Sequence, residues 1–128
     1  MEGIIIRKSY IGTVMGQMKP LFPPNHSFDG TYQFMITEII NNYGEMYYKI
    51  TEMDFIRPNG YKTSLLYRGR YLSFMDRWSL NPDNLVYYVQ EFLKSHNISS
   101  SVEWREVYWD QDTHNEIKSN PCTRFGNL

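Results

Sequence analysis

The turn sequence Asn41-Asn42-Tyr43-Gly44 separates two strand-like segments and constrains the fold more than any other feature of the chain. Before the turn, from Thr31 to Ile40, apolar and polar residues alternate with the two-residue period of a half-buried strand. After it, Glu45 to Ile56 is predicted to be the partner strand. Asn and Gly tolerate positive φ, so the sequence predicts a β-hairpin here.

Other segments with strand character extend the predicted sheet. Residues 2–8 include three consecutive isoleucines and predict a first strand. Residues 9–30 contain repeated Gly and Pro, and they predict a long connection. Two further strands are expected near Tyr61 to Tyr67 and Arg70 to Met75, and a late strand from Ser101 to Asp110.

The segment after residue 80 predicts the one clear helix of the chain. Asn81 is a favoured N-cap, Pro82 suits the first helical position, and Asp83 suits the first turn. The apolar residues that follow share one helical face: Leu85, Val86, Val89, Phe92 and Leu93. The predicted fold class is therefore α+β, an antiparallel sheet of five to six strands with one main helix (about residues 82–96) packed on one face.

The length of 128 residues predicts a single domain, 1–128, with a loose polar tail from about residue 117. The lone cysteine, Cys122, excludes an internal disulfide framework and indicates a reducing compartment. No apolar stretch approaches about 20 residues, so we expect no membrane span and a cytoplasmic location. Alanine is absent, whereas Asn, Ile and Tyr are plentiful, as is typical of AT-rich coding in many phage and low-GC bacterial genomes. A gene carried by a phage or mobile element would suit this composition.

Basic and aromatic residues are interleaved between Arg57 and Trp78. Guanidinium groups bind phosphate oxygens in a planar fork, and aromatic rings stack on nucleobases. The sequence therefore predicts a small non-catalytic binding protein that holds a phosphate-bearing ligand, either a nucleotide or single-stranded nucleic acid. The predicted ligand-binding residues are Arg57, Lys62, Tyr67, Arg68, Arg70, Tyr71, Arg77 and Trp78.

An alternative function follows from the charge distribution. Residues 57–80 carry a net charge of +4, and residues 101–117 carry −4. The acidic strand from Glu103 to Glu116, or exposed aromatic residues, would suit a protein-interaction module such as an inhibitor or immunity protein. Opposite charge on two surfaces also permits homo-oligomers.

A metal- or histidine-dependent nuclease is the third hypothesis. Asp110, Asp112, His114 and Glu116 would face the same way in an extended chain, and histidine titrates near neutral pH. The same residues are also typical of a solvated turn. No motif elsewhere supports catalysis, so we expect no catalytic residue, no metal site and no cofactor.

Overall fold

A computed structural model of the chain describes residues 6–18, 27–66, 77–110 and 112–125. Within those residues it contains seven strands and one helix. In chain order they are β1 (Ile6–Met18), β2 (Phe28–Ile40), β3 (Met46–Ile56), β4 (Lys62–Ser64), β5 (Trp78–Ser79), α1 (Pro82–Ser95), β6 (Glu103–Asp110) and β7 (Asn115–Pro121). The predicted α+β class, with one helix on an antiparallel sheet, is confirmed.

The strands form one antiparallel sheet in the order β4-β3-β2-β1-β6-β7. β2 and β3 form the predicted hairpin, with Thr31 opposite Ile56 and Ile40 opposite Met46. β4 pairs with the C-terminal end of β3, whereas β5 pairs with β3 nearer its start. Both short strands therefore lie along the same edge of β3.

The helix packs on one face of the sheet, called here the helix face. The Phe92 ring lies 5.7 Å from the rings of both Tyr32 and Phe34, measured between centroids. The helix residues predicted to face the sheet are all buried: Leu85, Val86, Val89, Phe92 and Leu93. Asn81 Oδ1 accepts a hydrogen bond from the backbone N–H of Asp83 at 3.0 Å, so the predicted N-cap is confirmed.

The first strand is longer than the sequence predicted. The expected connection over residues 9–30 is wrong for residues 9–18 and 28–30, which belong to β1 and β2. Gly12 and Gly16, which suggested a break, instead leave space for bulky side chains packed against the strand. A Cβ on Gly12 would lie 2.8 Å from the Trp104 ring, and a Cβ on Gly16 would lie 2.8 Å from the Ile98 side chain. A glycine in a strand often marks such a close approach rather than an end.

The polar C-terminal segment also differs from the prediction. The expected loose tail from about residue 117 is wrong as far as Pro121, because Asn115–Pro121 forms β7 at the edge of the sheet. Every residue of β7 is exposed, so the strand has no apolar alternation and is held by backbone pairing to β6. Beyond it, Cys122 is buried, and the Phe125 ring packs edge-on against Tyr10 with centroids 4.9 Å apart.

Of the three other expected strands, two are present and one lies outside the described residues. The late strand corresponds to β6, and the strand near residues 61–67 is the three-residue β4. The strand expected at Arg70 to Met75 lies outside the described residues. No helix in the described part of the chain is long and apolar enough to cross a membrane.

Candidate functional site

The described members of the predicted ligand site separate into two groups along the β3 edge. Arg57 and Lys62 lie near the C-terminal end of β3, and Arg77 and Trp78 lie near its start. Seven residues of β3, or roughly 23 Å at about 3.3 Å per residue, separate the partners of Lys62 and Trp78. The two groups can be bridged only by an extended ligand. The other four predicted residues lie outside the described chain: Tyr67, Arg68, Arg70 and Tyr71.

Lys62 already has carboxylate partners. Its Nζ lies 3.4 Å from Asp54 Oδ2 and 3.9 Å from Glu52 Oε2. Asp54 is only 3% exposed. Burial raises the pKa of both carboxyl groups, and the positive charge of Lys62 acts in the opposite direction. A phosphate group would therefore compete with two carboxylates for this ammonium group.

The arginines of both groups are held on aromatic rings. The Arg57 guanidinium carbon lies 4.3 Å from the centroid of Phe28, and that of Arg77 lies 4.2 Å from the centroid of Tyr88 on the helix. Neither arginine forms an ion pair with a residue that the structure describes. Cation–π attraction therefore positions each charge without a carboxylate to neutralise it.

Large apolar side chains are exposed around the end of the β2–β3 hairpin and the adjoining β5. This surface is called the hairpin-end patch, and its members are Ile40, Tyr43, Met46, Trp78 and Leu80. Trp78 is 62% exposed, Leu80 75% and Tyr43 88%. Trp78 also packs edge-on against Tyr47, with ring centroids 6.0 Å apart. The patch therefore combines a positioned indole with solvent-exposed apolar surface.

A cavity of about 570 Å³ lies beside the hairpin-end patch, and three residues of the patch, Met46, Trp78 and Leu80, border it. It is lined by Asn41, Glu45, Met46, Tyr47, Lys49, Trp78 and Leu80. Met46 comes from β3 and lies opposite Ile40, whereas Trp78 and Leu80 come from β5 and the residue after it. Of these residues, only Trp78 was predicted as a site residue. The alternation of apolar and polar residues predicts strands, but it does not show which strand ends remain exposed to solvent.

The acidic stretch is partly neutralised within the molecule. The Tyr108 hydroxyl donates a hydrogen bond to the Glu106 carboxylate, and Lys8 Nζ lies 3.2 Å from the same group. These contacts, the Tyr108 hydrogen bond foremost, lower the pKa of Glu106 against the opposing effect of burial. Arg105 and Glu116 form a further ion pair at 3.2 Å. The acidic stretch therefore presents less negative charge to a partner than its net charge of −4 indicates.

The histidines occupy structural positions in the described residues. His96 ends the helix, and its ring stacks on Phe92 with centroids 4.2 Å apart. His114 lies in the β6–β7 turn at φ 57°, and its backbone N–H donates to the carbonyl of Asp110 at 2.7 Å. His26 lies outside the described residues. In the described ranges, no group of three or more His, Cys, Asp and Glu residues is arranged to hold a metal ion.

Comparison with known proteins found no match to this chain among protein-family models, curated proteins or solved structures. What the protein does is therefore inferred from its own surface.

Proposed function

We propose that this protein is a protein-interaction module and that the hairpin-end patch is its contact surface. The observation that carries the proposal is the exposure of Met46, Trp78 and Leu80, at 47%, 62% and 75%, around one cavity at the hairpin end of the sheet. Exposed apolar surface that is gathered in one place marks interaction sites in soluble proteins. Trp and Tyr are also the residues most enriched where binding energy concentrates.

The patch is also pre-organised for binding. Trp78 lies in β5, whose pairing with Tyr48 and Lys49 fixes its backbone, and the Tyr47 ring supports its indole. A side chain that is already positioned loses less conformational entropy when a partner binds. Glu45 and Lys49 lie at the cavity wall and supply charges of both signs beside the apolar surface. This arrangement fits a protein partner with an apolar centre and a polar rim.

The proposal also includes a cytoplasmic location and a role without catalysis. Cys122 is a buried thiol that forms no disulfide, as expected in a reducing compartment, and we place the module in the cytoplasm on that ground. The proposed role includes no catalytic step. An inhibitor or immunity protein encoded by a phage or mobile element would act in this way.

Photo-crosslinking tests the contact surface directly. The variant Leu80→p-benzoylphenylalanine places a crosslinker in the patch, and Tyr87→p-benzoylphenylalanine places one on the exposed helix as a control. In cells of the source organism, we expect a defined protein adduct from position 80 and none of the same mass from position 87. Identical adducts from both positions would contradict the proposal, as would no adduct at position 80.

A matched pair of double variants then tests which side chains supply the affinity. Trp78→Ser with Leu80→Ser removes the patch, whereas Tyr61→Ser with Ile117→Ser removes exposed apolar residues elsewhere. Loss of one dominant apolar residue costs at least about 2 kcal/mol, so we expect the patch variant to bind the crosslinked partner more than about 30-fold more weakly. The control should bind within about threefold of the unmodified protein. Equal losses in the two variants would rule out the patch.

The phosphate-ligand hypothesis stays a prediction, and the observation that favours it is that Arg77 forms no ion pair with a described residue. The Arg77 guanidinium is positioned on Tyr88 of the helix, and Trp78, the next residue along the chain, borders the 570 Å³ cavity. A nucleotide at 100 times its dissociation constant would stabilise the fold by about 2.7 kcal/mol. A thermal-shift panel of nucleotides, cyclic dinucleotides and short oligonucleotides tests this, with Arg77→Gln expected to abolish the shift and Lys118→Gln to preserve it. A panel without any shift would exclude the hypothesis.

A further inference from the structure

A row of hydroxyl groups crosses the middle of the sheet on the face opposite the helix, called here the far face. Ser9 on β1 and Thr37 on β2 are register partners, and their hydroxyl oxygens are 3.0 Å apart. The Thr37 hydroxyl oxygen lies 2.7 Å from that of Thr51 on β3. Ser9 is fully buried and Thr37 is 4% exposed, whereas Thr51 is partly exposed. The row therefore leads from the interior of the sheet to an accessible hydroxyl.

Thr51 reaches this position because β3 contains an irregularity. Met35 pairs with Glu52 and Ile36 pairs with Ile50, so Thr51 is an extra residue between them. A β-bulge of this kind redirects side chains and is over-represented beside functional sites. Here it brings the hydroxyl of Thr51 to the row beside Glu52.

A cavity of about 260 Å³ lies over this row. Thr37 and Thr51 contribute to its floor, Glu52 borders it from β3, and Arg7 and Trp109 border it from β1 and β6. The lining also includes Ser9, Met35 and His114, the last from the β6–β7 turn. Arg7 and Trp109 are register partners. The volume is below the roughly 300–1,000 Å³ of sites for drug-sized ligands, so the occupant is limited to about one ring.

The lining offers donors, acceptors and one flat apolar wall. Arg7 only donates hydrogen bonds, the ionised Glu52 carboxylate only accepts them, and the Thr51 hydroxyl does both. Arg7 forms no ion pair within the described part of the chain, while Glu52 lies 3.9 Å from Lys62. The charges of Arg7 and Glu52 have opposite sign, so a neutral ligand leaves no unbalanced charge in the cavity. The Trp109 ring supplies a wall for a ligand face made of C–H groups.

We propose that this far-face cavity binds a neutral polyhydroxylated ring of monosaccharide size. A sugar ring has hydroxyl groups around its edge and C–H groups on its faces, and this distribution matches polar groups on the floor and rim with an indole on one wall. The buried hydroxyls of Ser9 and Thr37 help to hold the Thr51 hydroxyl in place. The Thr51 hydroxyl donates a long hydrogen bond of 3.5 Å to the carbonyl of Met35, so its oxygen is the atom that accepts from a sugar hydroxyl.

Binding is measured by ¹H–¹⁵N NMR titration and calorimetry with D-glucose, D-galactose, D-mannose, D-ribose and myo-inositol. We expect at least one compound to bind saturably and to shift the amide signals of Thr37 and Thr51 and the indole signal of Trp109. Glycine, L-serine and inorganic phosphate serve as charged or zwitterionic probes of similar or smaller size. The proposal is overturned if only those probes bind saturably, or if no compound does.

Two variants test the contacts. Thr51→Val removes one hydroxyl with little change in shape, and Arg7→Gln removes the charge of an exposed side chain. Each should weaken sugar binding about 2- to 10-fold, the equivalent of one hydrogen bond. Thr31→Val, at the other end of β2, and Lys118→Gln, on β7, should leave it unchanged. Unaltered binding in both Thr51→Val and Arg7→Gln contradicts the assignment, even if a sugar binds.

This cavity is independent of the hairpin-end patch. Trp78→Ser with Leu80→Ser should leave the sugar titration unchanged, because neither residue borders the far-face cavity. Failure of the sugar titration therefore does not affect the proposed protein contact, and failure of the crosslinking does not affect the sugar site.

Discussion

The positive charge of Lys62 partly balances the buried carboxylate of Asp54 on β3. Asp54 is 3% exposed, and Lys62 Nζ lies 3.4 Å from its Oδ2. Burial raises the folded-state pKa of Asp54 and of Glu52 above the ordinary values of 3.8 and 4.5. A carboxyl with a raised folded-state pKa binds its proton more tightly when folded, so its ionisation lowers stability as pH rises through that window. The positive charge of Lys62 reduces this loss of stability, because it favours the ionised carboxylates.

Lys62→Met should therefore lower the free energy of unfolding at pH 7 by about 1–3 kcal/mol, the cost of leaving a buried polar group without a partner. The difference from the unmodified protein should shrink near pH 4, because Asp54 and Glu52 take up protons as pH falls through their raised pKa values. Urea unfolding at both pH values measures it.

Lys118→Met, which removes an exposed lysine of β7, is the control and should change stability by less than about 0.5 kcal/mol. A loss of equal size at both pH values for Lys62→Met would mean that Lys62 acts through packing and not through its charge.

The partners of Lys62 illustrate what a sequence does not reveal about a site. Lys62 was predicted to bind an anion because it lies among arginines and tyrosines. Glu52 and Asp54 become neighbours of Lys62 only through the register of β3 with β4. Register depends on which strands pair, and the local sequence does not specify that.

The helix, in contrast, is specified by local sequence. The Asn81 side chain accepts a hydrogen bond from the N–H of Asp83, Pro82 occupies the first turn, and the apolar face is the one that its spacing predicts. All of these signals act within a few residues, so the helix could be placed from sequence to within one residue at its end.

Asn81→Ala should destabilise the protein by about 0.5–2 kcal/mol, since the first turn loses the side-chain acceptor of its capping hydrogen bond. Asn81→Asp retains an acceptor at the same position and should remain close to the unmodified protein. Thermal and urea unfolding provide the measurement, and Gln90→Ala, at an exposed position in the middle of the helix, is the control. If Asn81→Ala and Gln90→Ala lose equal stability, the cap contributes nothing specific.

The strands were predictable only where one face is buried and the other is not. β2 shows this alternation and was located from it, together with the turn that follows. β7 exposes all its residues and carries no such pattern. The glycines of β1 signalled a break because the side chains packed against them, Trp104 and Ile98, come from distant parts of the chain. In both strands, pairing with distant residues outweighs local propensity.

At the scale of the whole molecule, the segment after β7 closes one end of the core. The Phe125 ring lies 4.9 Å from Tyr10 and 5.3 Å from Trp104, each in an edge-on arrangement. These contacts join the C-terminal segment to β1 and β6. Ion pairs also link distant parts of the chain, including Arg124 with Asp83 at 3.6 Å. The segment is thus part of the folded unit.

Phe125→Ala should lower the free energy of unfolding by about 1–3 kcal/mol, less than the 3–5 kcal/mol typical of a fully buried phenylalanine because this ring is only partly buried. Phe125→Leu retains most of the apolar volume and should lose less. Urea unfolding measures both, with an unchanged slope expected if the native state stays compact. Wild-type stability in Phe125→Ala would show that the segment only rests on the core.

The internal ion pairs also bear on self-association. Lys62 pairs with Asp54, Lys8 with Glu106, and Arg105 with Glu116, so part of both charged stretches is neutralised before any second copy approaches. A homo-oligomer built on opposite charges stays a prediction. Its association would weaken as salt is added, whereas association through the hairpin-end patch would persist.

Trp104 lies directly opposite Gly12, and its ring occupies the space that a side chain at position 12 would need. Each position therefore limits what natural selection can place at the other. In a diverged descendant of the same ancestor, a side chain gained at position 12 should accompany loss of the indole at position 104. Such joint substitution gives a means of recognising distant relatives that ordinary sequence similarity would miss.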